Sequence, residues 1–450
     1  MINAIDRRGL MRASLALAAL SAGCASATSE SAQVSDPFER AFYYAFPLYE
    51  FARIQQERTG AVDGEPGRLN TIAHRSQLLD HTSRMVTAPN NDTIYSSAFL
   101  ELSGGPIEIN APNSADRYFS IAFMQAFTDV FAYIGTRATQ GQGGRHWIVG
   151  PQWNGEVPAG VRLIRSPTND VWMLMRTLVD GPADIGAARE FQTGLTLSAP
   201  SGRAAARGYG VRAEDVNDPA NFLALVNEVI ARSPGGAGQL ARARRFAEWG
   251  IGSLTPPSPQ LIDAWRAAIP PGLARLRERF LFRDQVADGW SYQLPGVGDF
   301  GENDELRAAV ALGGIAALTE DEAMYFHANF DAAGERLSGA SRYRWRLPPG
   351  GVPVDAFWSL TMYTVTPEGR YFFVENPINR FSIGDRTPGL IVAPDGSLEI
   401  HIQNERPDDA HVANWLPAPE GPLRLALRAY LPRDALRRRA WRVPALRHVS

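Results

Sequence analysis

The run Ala356-Phe-Trp-Ser-Leu-Thr-Met-Tyr363 alternates hydroxyl side chains with large apolar ones. A period of two predicts a β-strand, because successive side chains of a strand point to opposite faces of its sheet. Ser359, Thr361 and Tyr363 would then share one face with Phe357. A strand with one apolar and one partly polar face indicates that its apolar side packs in a core. Its other side is expected to line an amphiphilic pocket that offers hydroxyl groups.

Further strand-like segments surround this run. They are short, rich in aromatic and β-branched residues, and separated by Gly, Pro and Asn. After Gly350 the predicted strands are 357–364, 371–374, 390–392, 398–403 and 423–431. An earlier group comprises 118–124, 130–135, 145–150, 161–165 and 171–179. Pro394-Asp395-Gly396 has the composition of a hairpin turn. Strands at this spacing predict sandwiches or barrels.

Helical periodicity precedes and separates the two groups of strands. Asp36-Pro37-Phe38-Glu39 has the composition of a helix start, and Pro47 is expected to kink or split that helix. Helices are also predicted at 221–232, around 246–249, and at 260–283 as a pair broken at Pro270-Pro271. Thr319-Glu-Asp-Glu322 resembles a capping box and predicts a helix at 323–329.

The first 27 residues are predicted to be an export signal. Arg7-Arg8 precedes a mildly apolar stretch at 13–22 that is too short to span a bilayer. The paired arginines resemble a twin-arginine signal, and a general secretory signal is the alternative. Cys24 follows Ala-Gly as in a lipobox, whereas Ala25-Ser26-Ala27 fits ordinary signal cleavage. We therefore expect a periplasmic or secreted protein, with a lipid anchor at Cys24 as one of two outcomes.

Composition excludes several classes of chemistry. Cys24 is the single cysteine of 450 residues, so the remainder of the sequence has no disulfide, cysteine nucleophile or thiolate metal site. Every basic residue other than histidine is arginine, which excludes a lysine Schiff base and a Gly-Lys-Ser/Thr phosphate loop. The formal net charge of −3 and the absence of a long basic stripe argue against nucleic-acid binding. We predict no cofactor, and homo-oligomerisation stays open.

The segment Ala88-Pro-Asn-Asn-Asp-Thr-Ile-Tyr95 concentrates amides, hydroxyls and one carboxylate before a predicted strand. These side chains could face a cleft and bind a ligand, or they could form an Asx turn that bonds its own backbone. Four arginines could bind a carboxylate or sulfate through paired hydrogen bonds, or could hold strands to loops: Arg117, Arg137, Arg176 and Arg380. The seven histidines match no established metal-ligand spacing, so we predict no metal site.

Several motifs in fixed order carry a family resemblance. Pro89-Asn-Asn-Asp-Thr-Ile-Tyr95, Arg117-Tyr118 and Arg176-Thr177 resemble domain of unknown function 1254. Phe357-Trp-Ser-Leu-Thr-Met-Tyr363, Asn379-Arg380 and Asn414-Trp-Leu-Pro417 resemble domain of unknown function 1214, which commonly follows it. The resemblance covers residue 36 to the C-terminus. It implies two jelly-roll-like β-sandwich domains with a helical region between them, and it implies almost nothing about activity.

We therefore predict a mainly β, α+β protein with two sandwiches at 36–200 and 336–450, linked by a helical region at 201–335. The first hypothesis for its function is binding or processing of a small polar molecule or glycan in a cleft. The alternatives are a metal-independent hydrolase or lyase that uses Asp92 or a histidine as general base, and a structural protein of the cell envelope. The candidate ligand-binding residues are Asn90, Asn91, Asp92, Thr93, Tyr95, Arg117, Tyr118, Trp358, Ser359, Thr361, Tyr363, Asn379, Arg380, Asn414 and Trp415.

Overall fold

Alternating apolar side chains organise most of the fold. A computed structural model describes residues 36–84, 87–233, 237–281, 286–367 and 369–449, and the predicted export signal with Cys24 lies outside them. Strands account for 29% of the structure and helices for 24%, which confirms the predicted mainly β, α+β class. None of the helices in the described ranges is long and apolar enough to cross a bilayer.

The helices lie before, between and after the strand groups. The α-helices of the described residues are α1 Pro37–Thr59, α2 Ile185–Thr193, α3 Pro219–Arg232, α4 Ala237–Arg244, α5 Pro259–Leu281, α6 Asp304–Gly314 and α7 Asp434–Arg437. Short 3-10 turns lie at Pro182–Asp184, Ala247–Trp249 and Val412–Asn414.

The first sandwich consists of two sheets that enclose one apolar core. Its strands are β1 Ala73–Arg75, β2 Thr93–Glu101, β3 Ile107–Ala111, β4 Phe119–Gln125, β5 Val130–Gly135, β6 Gly144–Val149, β7 Arg162–Arg165, β8 Asp170–Leu178 and β9 Thr196–Ser198. One sheet has the order β1-β2-β8-β4-β5 and the other β7-β6-β3-β9. Side chains such as Leu100, Ile109, Ile121 and Met173 meet between the sheets.

The second sandwich is built in the same way. Its strands are β10 Val286–Ala287, β11 Trp290–Tyr292, β12 Ala323–Ala328, β13 Arg342–Leu347, β14 Val354–Val365, β15 Tyr371–Phe372, β16 Ser382–Gly384, β17 Leu398–Gln403, β18 Trp415–Pro417, β19 Leu423–Pro432 and β20 Arg447–Val449. The larger sheet has the order β10-β11-β12-β19-β14-β15, with β16 also paired to β14, and the smaller one β18-β17-β13-β20. Trp345, Leu360 and Leu427 belong to the core between them.

The helices form a layer of their own around α1, which packs against α3, α5 and α6. The α1 residue Phe51 meets Phe99 of β2 edge to face, and Phe99 stacks on Trp172 of β8. Phe99 and Trp172 point away from the core of the first sandwich. This helix therefore covers one end of the outer face of the five-stranded sheet.

Three helix predictions differ from the structure, two of them at prolines. Helix α1 runs through Pro47 without a break, and α5 runs through Pro270 and Pro271. In α5 the residues on both sides of the prolines, Trp265 and Leu273 among them, stay buried, so packing of the apolar face outweighs the hydrogen bonds that proline removes.

The helix predicted at 323–329 is wrong, because these residues form strand β12. Met324, Phe326 and Ala328 enter the core while Tyr325 and His327 alternate with them, so the local period is two. Glu322, the expected capping residue, is instead hydrogen-bonded to Tyr118 of the first sandwich. The second sandwich thus takes strands from 286 onward, inside the range predicted as the helical link. The predicted strand at 390–392 is reduced to a bridge between Val392 and Leu398.

Candidate functional site

The two larger sheets face each other, and the residues between them form what we call the junction. On the first sandwich, Tyr95, Arg176 and Ser120 lie directly opposite one another on β2, β8 and β4. Residues opposite one another on antiparallel strands point to the same face. This row lies on the face that points away from the core, since Met173 and Met175 occupy the core face of β8.

A second row lies on the facing sheet. Tyr325 of β12, Arg428 of β19 and Ser359 of β14 are paired in register across three strands. Their faces are opposite to those of Leu360 and Leu427, which belong to the core. Two rows of polar side chains are therefore brought together between the sandwiches.

The predicted polar segment before β2 connects the two rows. Asp92 Oδ2 accepts a hydrogen bond of 2.7 Å from Ser359 Oγ, and Asn90 Nδ2 donates one of 2.7 Å to the Tyr430 hydroxyl. Asn90 Oδ1 also accepts from the Asp92 backbone N–H, which is an Asx turn. Asn91 Nδ2 donates to the Leu79 carbonyl. The segment thus combines both predicted roles, a local turn and contacts across the junction.

Arg428, which belongs to the second sandwich, binds the polar segment that precedes β2. Its Nη1 donates to Thr361 Oγ1 at 2.6 Å, and its Nη2 donates to the Tyr363 hydroxyl at 2.6 Å and to the carbonyls of Ala88 and Pro89. The residue is 5% exposed. These acceptors are neutral, and in the described ranges no carboxylate forms an ion pair with Arg428.

Arg176 lies at the centre of the first row and is 7% exposed. Its Nη2 donates to the Ala316 carbonyl at 3.0 Å, and its guanidinium lies 5.5 Å from the centre of the Tyr95 ring. Its Nη1 is buried and finds no hydrogen-bond acceptor among the described residues. Two further atoms of the same face, Thr93 Oγ1 and Ser120 Oγ, are also buried without a partner there.

A carboxylate lies at one edge of the junction. Glu322 accepts hydrogen bonds from the Tyr118 hydroxyl at 2.8 Å and from Arg137 Nε at 2.7 Å. Burial raises the pKa of Glu322, while the hydrogen bond from Arg137 acts in the opposite direction. Arg137 also pairs with Asp321 at 2.7 Å.

Arg137 lines an open groove of about 660 Å³ between the sandwiches. The groove is mixed in charge and is lined by Val130, Phe131, Tyr133, Arg137, Gly296, Val297, Asp299, Thr319, Glu320, Asp321, Asp434, Arg437 and Arg438. Tyr133 belongs to β5, which pairs with the strand of Ser120. It is opposite Ala122, so it lies on the same outer face as Ser120. The groove therefore adjoins the sheet face that carries Arg176.

The tyrosines of the junction are hydrogen-bond donors at neutral pH. Burial raises the pKa of Tyr118, Tyr325, Tyr363 and Tyr430 above the usual value of 10.0. Their hydroxyls therefore stay protonated. In the described ranges the junction combines two guanidinium groups without ion pairs, the carboxylates of Asp92 and, at its edge, Glu322, and several phenols, a set suited to binding a polar group.

The remaining predicted residues do not converge on the junction. Arg117 binds Asp184 through both terminal nitrogens and the Leu178 carbonyl, and its hydrogen bond lowers the pKa of Asp184. Trp358 packs in the core of the second sandwich against Trp345. Both have structural partners that account for their positions.

The motifs near the C-terminus also have local roles. Arg380 donates to three carbonyls at Val412, Ala413 and Trp415. Asn414 bonds the backbone of Ile391 and Glu399, and Trp415 donates to the Gln403 carbonyl. Asn379 is exposed, with a positive φ of 49° in a turn. These residues hold loops around the smaller sheet of the second sandwich.

Histidine chemistry is not evident at Asp92, since no histidine of the described ranges is hydrogen-bonded to that carboxylate. His74 instead pairs with Ser96 Oγ at 2.9 Å. In the same ranges, no group of three or more His, Cys, Asp or Glu side chains could hold a metal ion.

Tyr325, Arg428 and Tyr430 are not among the site residues predicted from the sequence. A signal for the last two was present, because Leu423-Arg-Leu-Ala-Leu-Arg-Ala-Tyr430 places two arginines and a tyrosine on one face of an otherwise apolar strand. When charged residues lie an even number of positions apart in an otherwise apolar strand, they share one face of the sheet. Such a pattern predicts that this polar face packs against another part of the protein.

One crystal structure has a fold similar to this architecture. The VPA0106 protein from Vibrio parahaemolyticus, solved as a crystal structure, is 21% identical over 92% of this chain and 99% of its own, with a TM-score of 0.72. An uncharacterized protein from Burkholderia cenocepacia is 14% identical over 92% of this chain and 90% of its own, with a TM-score of 0.43. No functionally curated protein matches the sequence.

Two family models match, in the predicted order. Residues 69–199 match the model described as protein of unknown function (DUF1254), and residues 322–434 match protein of unknown function (DUF1214). The first match spans the strands of the first sandwich, and the second runs from Glu322 through β19. The chain therefore contains a DUF1254 region followed by a DUF1214 region, both of unknown function.

Proposed function

We propose that this is an exported protein that binds a small polar molecule or glycan at the junction between its two sandwiches. The observation that carries the proposal is the set of buried hydrogen-bonding atoms without partners on one sheet face: Arg176 Nη1, Thr93 Oγ1 and Ser120 Oγ, as far as the described residues extend. Buried polar atoms are paired in the great majority of cases, so three without partners on one sheet face call for an explanation, and a ligand that binds there provides one.

Backbone geometry at the same place supports the proposal. Arg428 and Arg176 each donate to the carbonyl of an alanine with a positive φ, 51° at Ala88 and 63° at Ala316. A left-handed conformation costs an alanine about 1–2 kcal/mol. Such strain concentrates at binding sites and active sites, where the surrounding structure holds it in place.

The adjoining groove offers space for a ligand. Its volume of about 660 Å³ lies within the range of small-molecule sites, which is about 300–1,000 Å³. Its wall carries polar and charged side chains, of which the Tyr133 hydroxyl is hydrogen-bonded to Thr319 and Arg137 to Glu322. A ligand in the groove would approach the junction along the outer face of β5 and β4.

The cellular location belongs to the same proposal. The paired arginines and apolar stretch near the N-terminus support export to the periplasm or beyond, through the twin-arginine route or the general secretory one. Cys24 supplies a site for a lipid anchor. A binding protein on the outside of the cytoplasmic membrane would meet small polar molecules before they are taken up.

A thermal-shift screen tests the proposal. The purified protein is screened against sugars, oligosaccharides, amino acids and organic acids, and each compound that raises the melting temperature is measured again with the Asp92→Asn variant. Asparagine keeps an oxygen acceptor for Ser359, so the ligand-free protein should melt within a few degrees of the wild type. The ligand-induced increase should change: a ligand that donates a hydrogen bond to the Asp92 carboxylate should lose it, and an anionic ligand should show a larger one, because the substitution removes a negative charge from the junction.

The same screen separates binding from a structural role. If Asp92 only holds the sandwiches together, Asp92→Asn lowers the free energy of unfolding by about 1–3 kcal/mol and leaves any ligand response intact. That result, or a screen in which no compound stabilises the wild type, would refute the proposed binding function. A compound that is chemically changed during incubation would instead identify an enzyme.

A further inference from the structure

We propose that the ligand of the junction carries a carboxylate and that Arg176 binds it; this inference rests on the proposed function and specifies its ligand class. The starting point is the environment of the Arg176 guanidinium. It is buried, one of its terminal nitrogens donates to the Ala316 carbonyl, and its other terminal nitrogen has no partner in the described ranges. A buried cation with a free donor is costly unless an anion meets it.

The charges around Arg176 support this inference. Its electrostatic neighbours include the phenols of Tyr95, Tyr118, Tyr325 and Tyr430. Burial raises the pKa of the last three, so these hydroxyls stay protonated. Across the junction Arg428 likewise binds only neutral acceptors. Asp92 is the carboxylate near Arg428, and its hydrogen bond comes from Ser359. The described carboxylates on this side of the junction, Asp92 and Asp385, interact with Arg428 and Arg386, whereas no carboxylate of the described ranges forms an ion pair with Arg176.

The other arginines at the edges of the junction are different. Arg137 pairs with Glu322 and Asp321, and Arg117 pairs with Asp184. Each of these guanidinium groups already forms an ion pair with a carboxylate of the protein, so neither of them requires an anionic ligand to balance its charge. Arg386, which lies over the Phe357 ring, also has buried nitrogens without a hydrogen-bond partner in the described ranges, but Asp385 Oδ1 is 4.0 Å from its Nε. Arg176 has no such carboxylate among the described residues and is therefore the group that is prepared for an anion.

The geometry of the row favours a planar anion such as a carboxylate. A guanidinium is a planar fork that matches a carboxylate with two parallel hydrogen bonds. Ser120 lies directly opposite Arg176 on β4, and its buried hydroxyl also has no partner in the part of the chain that the structure describes. Thr93, on the same face of β2, offers a third such group. One carboxylate could accept from Arg176 Nη1 and from the Ser120 hydroxyl together.

Matched pairs of charged and uncharged compounds test the inference. The probes are acetate, succinate, citrate and D-glucuronate at constant ionic strength, with acetamide, succinamide and D-glucuronamide as uncharged counterparts and sulfate as a different anion. We expect at least one carboxylate to raise the melting temperature of the wild type in a saturable way, whereas its amide does not. Calorimetry on that compound then gives a Kd.

Three variants identify the binding group. Arg176→Gln should weaken binding of the carboxylate at least tenfold, and Arg176→Lys should weaken it too because lysine lacks the fork. Ser120→Ala should weaken it less and leave the ligand-free melting temperature unchanged or higher, since it removes an unpaired buried hydroxyl. Arg117→Gln, which removes an arginine that already has a carboxylate partner, is the control and should keep the wild-type Kd.

The outcomes distinguish this inference from the proposed function. If an uncharged compound binds as tightly as its carboxylate, or sulfate binds and carboxylates do not, the carboxylate assignment is wrong while a ligand site at the junction stands. If a carboxylate binds equally well to the wild type and to both Arg176 variants, the assignment to Arg176 is wrong. If none of the carboxylates binds, the inference fails, and the broader screen alone decides whether the junction binds anything. Should Arg176→Gln not fold, Arg176→Lys and Ser120→Ala carry the test.

Discussion

Ser359 Oγ lies 2.7 Å from Asp92 Oδ2, so a hydroxyl of the second sandwich donates to a carboxylate of the first. The two residues are 2% and 5% exposed. A buried carboxylate that loses a donor retains its desolvation cost. We therefore expect Ser359→Ala to lower the free energy of unfolding by about 1–3 kcal/mol, measured by denaturant titration.

Ser198→Ala is the control for this prediction. Ser198 is an exposed serine in strand β9 of the first sandwich, so its replacement should change the free energy of unfolding by less than about 0.5 kcal/mol. Equal effects of the two substitutions would show that Asp92 does not depend on the Ser359 hydroxyl.

A glycine in α5 gives a prediction about the helical layer. A Cβ at Gly272 would lie 2.7 Å from Phe42 Cδ1, and Phe42 is fully buried on α1. Alanine normally stabilises a helix interior relative to glycine by about 0.5–1 kcal/mol. Here overpacking should dominate, and Gly272→Ala should destabilise the protein by about 1–3 kcal/mol.

The matched substitution is Gly186→Ala in α2. No atom lies within 4 Å of a Cβ at that position, so alanine should leave stability unchanged or raise it by up to about 1 kcal/mol. A stabilising effect of Gly272→Ala in thermal melts would mean that Phe42 can move away from α5 at little cost.

The sequence predicts where the strands lie better than it predicts which distant residues they contact. The alternation along 356–363 placed Ser359, Thr361 and Tyr363 on one face, and the structure puts all three at or beside the junction. Strand β17 and strand β5 have the predicted bounds, because each has β-branched residues, and β5 also has aromatic ones, between clear turn signals. Local patterns of this kind need no knowledge of distant contacts.

Contacts between the sandwiches were not predictable in that way. Asp92 and Ser359 are separated by 267 positions, and no local pattern shows which strand a polar segment will meet. Trp358 was selected with its neighbours although the same alternation sends its side chain into the core. The capping-box pattern before β12 was misleading because Glu322 is used by Tyr118 across the junction. Tertiary contacts outweighed local propensity at this position.

His401 should make stability depend on pH. It is 4% exposed, and burial, with smaller effects of the nearby Arg344 and His411, lowers its pKa from 6.5 to about 4. Between these values the unfolded chain binds a proton that the folded chain does not, so its contribution to stability falls as the pH drops from 6.5 toward 4. Melting temperatures measured at pH values from 6.5 down to 4 should therefore decrease as the pH is lowered.

Two histidine variants isolate that contribution. His401→Gln removes the titrating group, so the dependence of stability on pH between 4 and 6.5 should become shallower than in the wild type. His448→Gln replaces an exposed histidine on β20 and should leave the slope as it is. An unchanged slope in His401→Gln would assign the acid sensitivity to other groups.

Arg428 is expected to contribute more to stability than any surface arginine, because its guanidinium is buried and donates to Thr361, Tyr363 and two carbonyls of the segment before β2. Arg428→Ala leaves these acceptors unpaired and opens a cavity between the sandwiches. We expect a loss of about 3–5 kcal/mol in the free energy of unfolding, by analogy with removal of one partner from a buried charged network.

Arg433→Ala is the control. It removes an arginine five positions later that forms an ion pair with Asp355 at the surface, where the two side chains are 60% and 63% exposed, and it should cost at most about 1 kcal/mol. If denaturant titrations give both variants the same small loss, water or a shifted side chain must replace the Arg428 guanidinium, and the junction would then be less tightly held than its hydrogen bonds indicate.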